Sequence, residues 1–279
     1  MLDPLQTHLQ HLVRERNPFF SSQGHFYVRE YLRQEMGRYG EVTAHNFQFK
    51  NRSYENIVLD LPAREEIASK PPILVGAHFD TVPGSPGADD NASGVAVLLE
   101  LARLLSEAGA NYPIRLVAFD LEEYGLLGSA AYARQLRKQG QNLRLMLSLE
   151  MLGYCNPAPD SQKYPPFLDA VYPSTGDFIA LIGNLSTLGD LRHLHREMLD
   201  NGTKCEFLPV PLQGYPVPDT RRSDHSPFWD RGYKAIMVTD TANMRNPYYH
   251  SPRDTIDTLD LDFLASVCQG LHRGIRSLF

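Results

Sequence analysis

Residues 71–106 read PPILVGAHFDTVPGSPGADDNASGVAVLLELARLLS. Ile73–His78 is a short apolar run ending in polar residues, the pattern of a strand buried on both faces of a parallel sheet. From Val95 to Ser106, apolar residues fall at Val97, Leu98, Leu101, Leu104 and Leu105, which is helical spacing. The segment is therefore a strand, a polar loop and a helix in succession, the unit from which α/β folds are built. The short buried-strand pattern returns at Ile114–Phe119 and Leu143–Leu149, with a helix near Gly128–Gln139 between them.

Upstream, Pro4–Arg16 and Gln23–Met36 read as helices, and Val42–Phe49 and Asn56–Leu61 as strands. Downstream the pattern gives a strand at Phe178–Ile182, a helix at Leu188–Leu199 and a strand at Ala235–Thr239. A last helix, Asp262–Ile275, carries Phe263, Leu264, Val267, Cys268 and Leu271 on one face. Strands alternating with helices imply an α/β sandwich with a mainly parallel sheet. With 42% hydrophobic residues and no linker-like or repeated stretch, one domain spanning 1–279 is expected.

Net charge is −6, with no long run of either sign, which argues against a nucleic-acid surface. Met1–Arg16 lacks the apolar centre of a signal peptide, and Val95–Leu105 is too short to cross a bilayer, so a cytoplasmic protein that does not engage membranes is expected. Cys155, Cys205 and Cys268 are widely spaced and fit reduced structural thiols better than a disulfide framework. The oligomeric state is not legible.

Polar residues follow the ends of successive strands: His78 and Asp80, Glu122 and Glu123, then Glu150. Ligands in open α/β sheets gather outside the carboxyl ends of strands, so these residues can meet in space. An imidazole at His78 suits a metal, with Asp80 two residues on to fix its tautomer. Asp89-Asp90-Asn91 precedes a helix and reads as an ordinary N-cap region, or as a carboxylate able to bridge two cations. Glu122 and Glu123 point opposite ways if extended, so one can bind a metal while the other faces substrate water. Glu150 ends a very apolar strand, where an unpaired carboxylate is unfavourable. His250 lies in a late loop. Each alone has a bland reading as a cap, a surface pair or a solvated histidine. Together, His78, Asp90, Glu123, Glu150 and His250 are a nitrogen and oxygen donor set suited to zinc, with cobalt or manganese as substitutes. Five positions exceed what one tetrahedral ion needs, which implies two ions sharing a carboxylate.

The stretches GAHFDT, PGADDNASG, FDLEEYGLLGS, SLEMLGY, RRSDHSPFWDRG and YYHSPRDT occur in the order found in family M28 metallopeptidases, and the sequence resembles that family. The resemblance implies a three-layer α/β/α fold with a mixed, mostly parallel sheet. It implies two zinc ions, one on His78 and Glu150, the other on Glu123 and His250, with Asp90 bridging them. It makes Glu122 the general base, Asp80 the residue orienting His78, and the Asp90–Asn91 peptide cis. Glu150 stands where the best-known members more often carry aspartate, and the cysteine pair of some secreted members is replaced by Pro218-Asp219-Thr220-Arg221-Arg222.

The implied activity is hydrolysis of peptide or amino-acid amide bonds, most simply by an aminopeptidase, using water activated at the metal centre. A carboxypeptidase or dipeptidase and an acyl-amino-acid amidohydrolase remain open on the same centre. Glutaminyl cyclases of this fold lack a histidine at the position of His78, and non-catalytic relatives lose ligands. Tyr249, beside His250, is a candidate donor to the developing oxyanion. Arg221 or Arg222 could clamp a substrate carboxylate, or pair structurally with Asp224 or Asp230. The stretch Gly153–Pro173 is long for a connector, and its Tyr154, Tyr164 and Phe167 are candidate pocket walls.

Overall fold

A computed structural model describes residues 1–166 and 168–279; Phe167 lies outside the described residues. Two helices, α1 (Leu2–Leu12) and α2 (Ser22–Met36), precede the hairpin of β1 (Val42–Phe49) and β2 (Arg52–Asp60), and a short α3 (Glu65–Ala68). The alternation expected from the apolar runs follows: β3 (Ile73–His78), α4 (Gly94–Ala108), β4 (Ile114–Phe119), α5 (Leu127–Lys138) and β5 (Leu145–Glu150). The C-terminal part adds β6 (Ile179–Asn184), α6 (Leu188–Asp200), β7 (Cys205–Val210), α7 (Ser226–Asp230), β8 (Ala235–Thr239) and α8 (Leu261–Ser277).

The eight strands form one sheet in the order β1-β2-β4-β3-β5-β8-β6-β7. The pairs β3–β4, β3–β5, β5–β8 and β6–β7 are parallel; β1–β2, β2–β4 and β6–β8 are antiparallel. Every residue of β3 and β5 is buried, because helices cover both faces of the sheet there. On one face, Leu9, Leu32, Leu98, Leu194 and Leu271 of α1, α2, α4, α6 and α8 share one apolar cluster with the strands; on the other, Tyr132, Phe228 and Trp229 from α5 and α7 meet Phe119 and Met146. Helix α4 is buried on nearly every side at its start. Gly94 opens it because a Cβ there would lie 2.3 Å from Asn91 Oδ1 and 2.9 Å from the Leu149 carbonyl.

Two differences from the sequence reading have local causes. Helix α1 stops at Leu12 rather than Arg16, because the Arg16 side chain turns inward and donates to the Leu12 and Arg14 carbonyls. Strand β7 carries no clear strand signal, since Pro209 interrupts it; it is the edge strand, where a missing N–H is tolerated. The three cysteines are free, as expected. Among the described residues, no helix is long and apolar enough to cross a membrane.

Candidate metal centre and active site

His78 ends β3 and Glu150 ends the adjacent parallel β5, so the sheet itself brings them together: His78 Nε2 lies 3.5 Å from Glu150 Oε2. Glu122 and Glu123 follow β4, on the other side of β3. Asp80 holds that turn in place. Its two oxygens accept the backbone N–H groups of Glu122 (3.0 Å) and Glu123 (3.2 Å), and Oδ1 sits 3.5 Å from His78 Nδ1.

Asp90 stands between the two histidines. Its Oδ1 is 3.3 Å from His78 Nε2 and its Oδ2 is 3.1 Å from His250 Nε2, while Glu123 Oε2 is 3.3 Å from His250 Nε2. The donors fall into two groups whose atoms lie within 4.8 Å of one another: His78, Glu122 and Glu150, and Asp90, Glu123 and His250. All five expected ligands and Glu122 are thus brought into one cluster. His250 reaches it from a backbone with φ of 55°, a region histidine enters more readily than most residues.

The loop carrying Asp90 is fixed from three sides. Asp254 accepts the N–H groups of Asp89 and Asp90 at 2.8 and 3.1 Å. Asn91 donates to the Leu149 carbonyl and accepts from Met151, tying the loop to the end of β5. The Asp90–Asn91 peptide is cis, as the resemblance implies. From beneath, the fully buried Arg16 guanidinium donates to the carbonyls of Phe79 (2.7 Å), Pro86 (2.7 Å) and Gly87 (2.8 Å). One side chain therefore spans the loop after His78 and the loop before Asp90.

Carboxylates dominate the electrostatics. Burial works against a charged Asp90, but the facing imidazoles of His250 and His78 outweigh it and hold the carboxyl well below the usual range. Burial likewise opposes a charged His78, yet Glu122 and Glu150 hold the imidazole well above its ordinary value. His250 is pushed up to about 10 by Asp90 and Glu123 against the effect of burial. Burial, then Asp90, pushes Glu123 up to about 7; burial and its acidic neighbours raise Glu122 well above a normal glutamic acid. A divalent cation would displace these protons and neutralise the cluster. The residues fit such an ion. Both ring nitrogens of His78 and Oε1 of Glu123 are buried without a hydrogen-bond partner among the described residues, which is costly for polar atoms unless something else satisfies them.

Tyr249 stacks on the His250 ring at 3.7 Å between centroids, and its oxygen accepts from Arg222 at 3.2 Å. Burial and the nearby Asp90 and Glu150 raise its pKa, so the phenol keeps its proton. The two arginines separate. Arg221 makes the structural pair, with both Asp230 oxygens at 2.9 Å, whereas Arg222 lines the cavity beside the cluster and bonds Asn243. Tyr164 lines that cavity too; Tyr154 instead packs edge-on against Tyr248.

Sequence reasoning missed several supporting residues. Ser223 donates to Glu150 Oε2 at 2.7 Å, and Asp224, fully buried, is pushed up to about 7 by burial first and by Glu150 among its neighbours. Both lie in the RRSDHSPFWDRG stretch, and Asp254 lies in YYHSPRDT, so the motifs held a signal for them. Arg16 lies far from every motif and had none.

The family model for Peptidase family M28 matches residues 56–273. Escherichia coli (strain K12) YfbL, itself uncharacterized, is 38% identical over 87% of this chain and 77% of its own length. Aminopeptidase YwaD of Bacillus subtilis (strain 168) is 30% identical over 80% of this chain, which spans only 44% of that relative. Among solved structures, the Legionella pneumophila LapA aminopeptidase superposes with a TM-score of 0.75 at 17% identity, over 100% of this chain and 73% of that one. A zinc aminopeptidase from Bacillus subtilis gives 0.57 at 26% identity, over 81% and 50%. A Bacteroides thetaiotaomicron glutaminyl cyclase gives 0.73 at 19% identity, over 100% and 98%, so fold alone does not choose among these activities. Matched across most of its length by the family model and by YfbL, the chain belongs to peptidase family M28 and is a hydrolase of the metallopeptidase class.

Proposed function

We propose that the chain is an aminopeptidase working at a centre of two zinc ions, one on His78 and Glu150, the other on Glu123 and His250, with Asp90 shared. The observation that carries this is the position of Asp90, whose two oxygens face two different imidazoles, each with a further carboxylate of its own. The donors are nitrogen and oxygen only, a set that zinc accepts and that cobalt or manganese can also use. When bound, such ions polarise a carbonyl oxygen and make water more acidic.

The protein's own groups do the rest. Glu122 Oε2, 4.0 Å from His78 Nε2, takes the proton from the attacking water and passes it to the departing amine. Asp80 holds the turn that aims Glu122 and sits beside His78. The protonated Tyr249 hydroxyl donates to the oxygen that gains charge on the substrate carbonyl. A histidine at position 78 with a complete second donor group favours this reading over a single-ion cyclase.

A second reading has one observation behind it. Arg222 stands on the cavity wall next to Tyr249, where a guanidinium could hold a substrate carboxylate, as a dipeptidase or an acyl-amino-acid amidohydrolase needs. Leucine p-nitroanilide and its N-acetyl derivative separate the two. The zinc-loaded protein is expected to cleave the first and not the second, and a chelator should abolish the release. Cleavage of the acetylated compound at a similar rate would reject the aminopeptidase assignment.

A further inference from the structure

The strand register extends the metal centre into a ledge. Glu150 pairs with Thr239, Thr239 with Ala180, and Ala180 with Glu206, so these four residues form one row across β5, β8, β6 and β7. Neighbours in register point to the same face of a sheet, so Glu206 faces the same side as Glu150. Three strand spacings separate them, about 14 Å. Thr239 and Ala180 are small and leave the row open. The adjoining row of Met237, Ile182 and Leu208 gives the ledge an apolar floor.

Over this ledge lies a cavity of about 850 Å³, counting the space open to solvent. Tyr164, Tyr172 and Phe178 wall it, and Arg222 and Tyr249 stand at the metal end. Glu206 lines its far end, half-buried, with no hydrogen bond or ion pair to its carboxylate among the described residues. The nearby donors are committed elsewhere. The Tyr164 hydroxyl donates to the Pro173 carbonyl at 2.6 Å, the Tyr172 hydroxyl to the Phe207 carbonyl at 2.9 Å, and Lys204 pairs with Asp177. Among the described residues, Arg222 is the one arginine on the cavity wall, and Asn243, Tyr249 and, at 3.9 Å, Asp219 hold it at the opposite end.

We infer that this cavity is a subsite for a basic side chain, lysine or arginine, at the substrate's amino terminus, with Glu206 as the residue that selects it. The inference rests on the aminopeptidase reading above and deepens it. With the scissile bond at the metal centre, a long side chain lies along the ledge, its methylenes against the apolar floor and aromatic walls and its charged tip toward Glu206. Leucine would fill the near half only. An aromatic residue would leave the Glu206 carboxylate facing apolar surface, which is unfavourable.

The test compares lysine with norleucine, which has a similar aliphatic chain without the ammonium group. The zinc-loaded protein should cleave lysyl p-nitroanilide with a kcat/KM about tenfold above norleucyl p-nitroanilide, the size expected for one charge-assisted contact. Glu206→Gln should bring that ratio close to one, and Glu206→Lys should invert it. Calorimetry with free L-lysine and L-norleucine gives the same comparison without turnover. A ratio at or below one in the wild type, or a ratio that Glu206→Gln leaves unmoved, overturns the assignment while the aminopeptidase reading stands. Failure to cleave either anilide, with equal binding of the two amino acids, removes both.

Discussion

Glu122→Gln is expected to keep its metal and to lose turnover by about 10²–10⁴-fold, the usual contribution of a positioned general base. Glutamine matches glutamate in shape, and the backbone of residue 122 is held by Asp80 rather than by its own side chain, so the variant should fold unchanged. Only the ability to take up a proton disappears. The effect should fall on kcat with KM nearly constant, since Glu122 acts on the water rather than on substrate binding. Measured on leucine p-nitroanilide beside a metal determination by plasma mass spectrometry, this separates Glu122 from Glu123. If Glu122 instead holds an ion, as its place in the group with His78 and Glu150 would also permit, metal is lost along with activity. Near-normal turnover would remove it from the mechanism.

The second large effect concerns Arg16. Arg16→Met should lower stability by about 3–5 kcal/mol, the range for breaking a buried charged contact by removing one partner. The guanidinium donates to the carbonyls of Leu12, Arg14, Phe79, Pro86 and Gly87, and methionine offers none of those N–H groups. Burial pulls the Arg16 pKa down to about 10, while Asp90, Asp254, Asp80 and Glu123 draw it upward, so it remains charged at neutral pH. It is therefore a permanent counter-charge beneath the acidic cluster. The destabilisation should be greater in the presence of a chelator than with zinc, because bound cations take over the neutralisation. Urea unfolding of both forms measures the difference, and Arg16→Lys should recover part of it. A loss below about 1 kcal/mol, equal in the two forms, would show that Arg16 neither braces the loops nor balances the charge.

What could be read from the sequence follows from how local each signal is. Strands β3, β4, β5 and β8 were legible because both faces are largely buried, which makes each a predominantly apolar run, interrupted in β4 by the half-buried Arg115. The donors at their ends were legible because a histidine or glutamate closing such a run needs a partner. The rest depends on pairings between distant segments. Nothing near Arg16 in sequence indicates that its side chain reaches the loops around residues 79–87, and the helical pattern that runs on to it hides the turn after Leu12. Strand β7 lies at the sheet edge and contains Pro209, and without it the row from Glu150 to Glu206 cannot be drawn. For Arg221 and Arg222, sequence offered a clamp and a structural pair without choosing; the bidentate contact with Asp230 assigns the structural pair to Arg221, and Arg222 faces the cavity.

The most direct test of the two-ion centre is the zinc content of the wild type and two single variants, measured by plasma mass spectrometry after equilibration with excess zinc and desalting. The wild type should hold about two zinc ions per chain, and Glu150→Ala and His250→Ala about one each, because each removes a ligand from a different ion. One ion in the wild type, or loss of both ions from His250→Ala with none from Glu150→Ala, would contradict a pair of sites joined through Asp90.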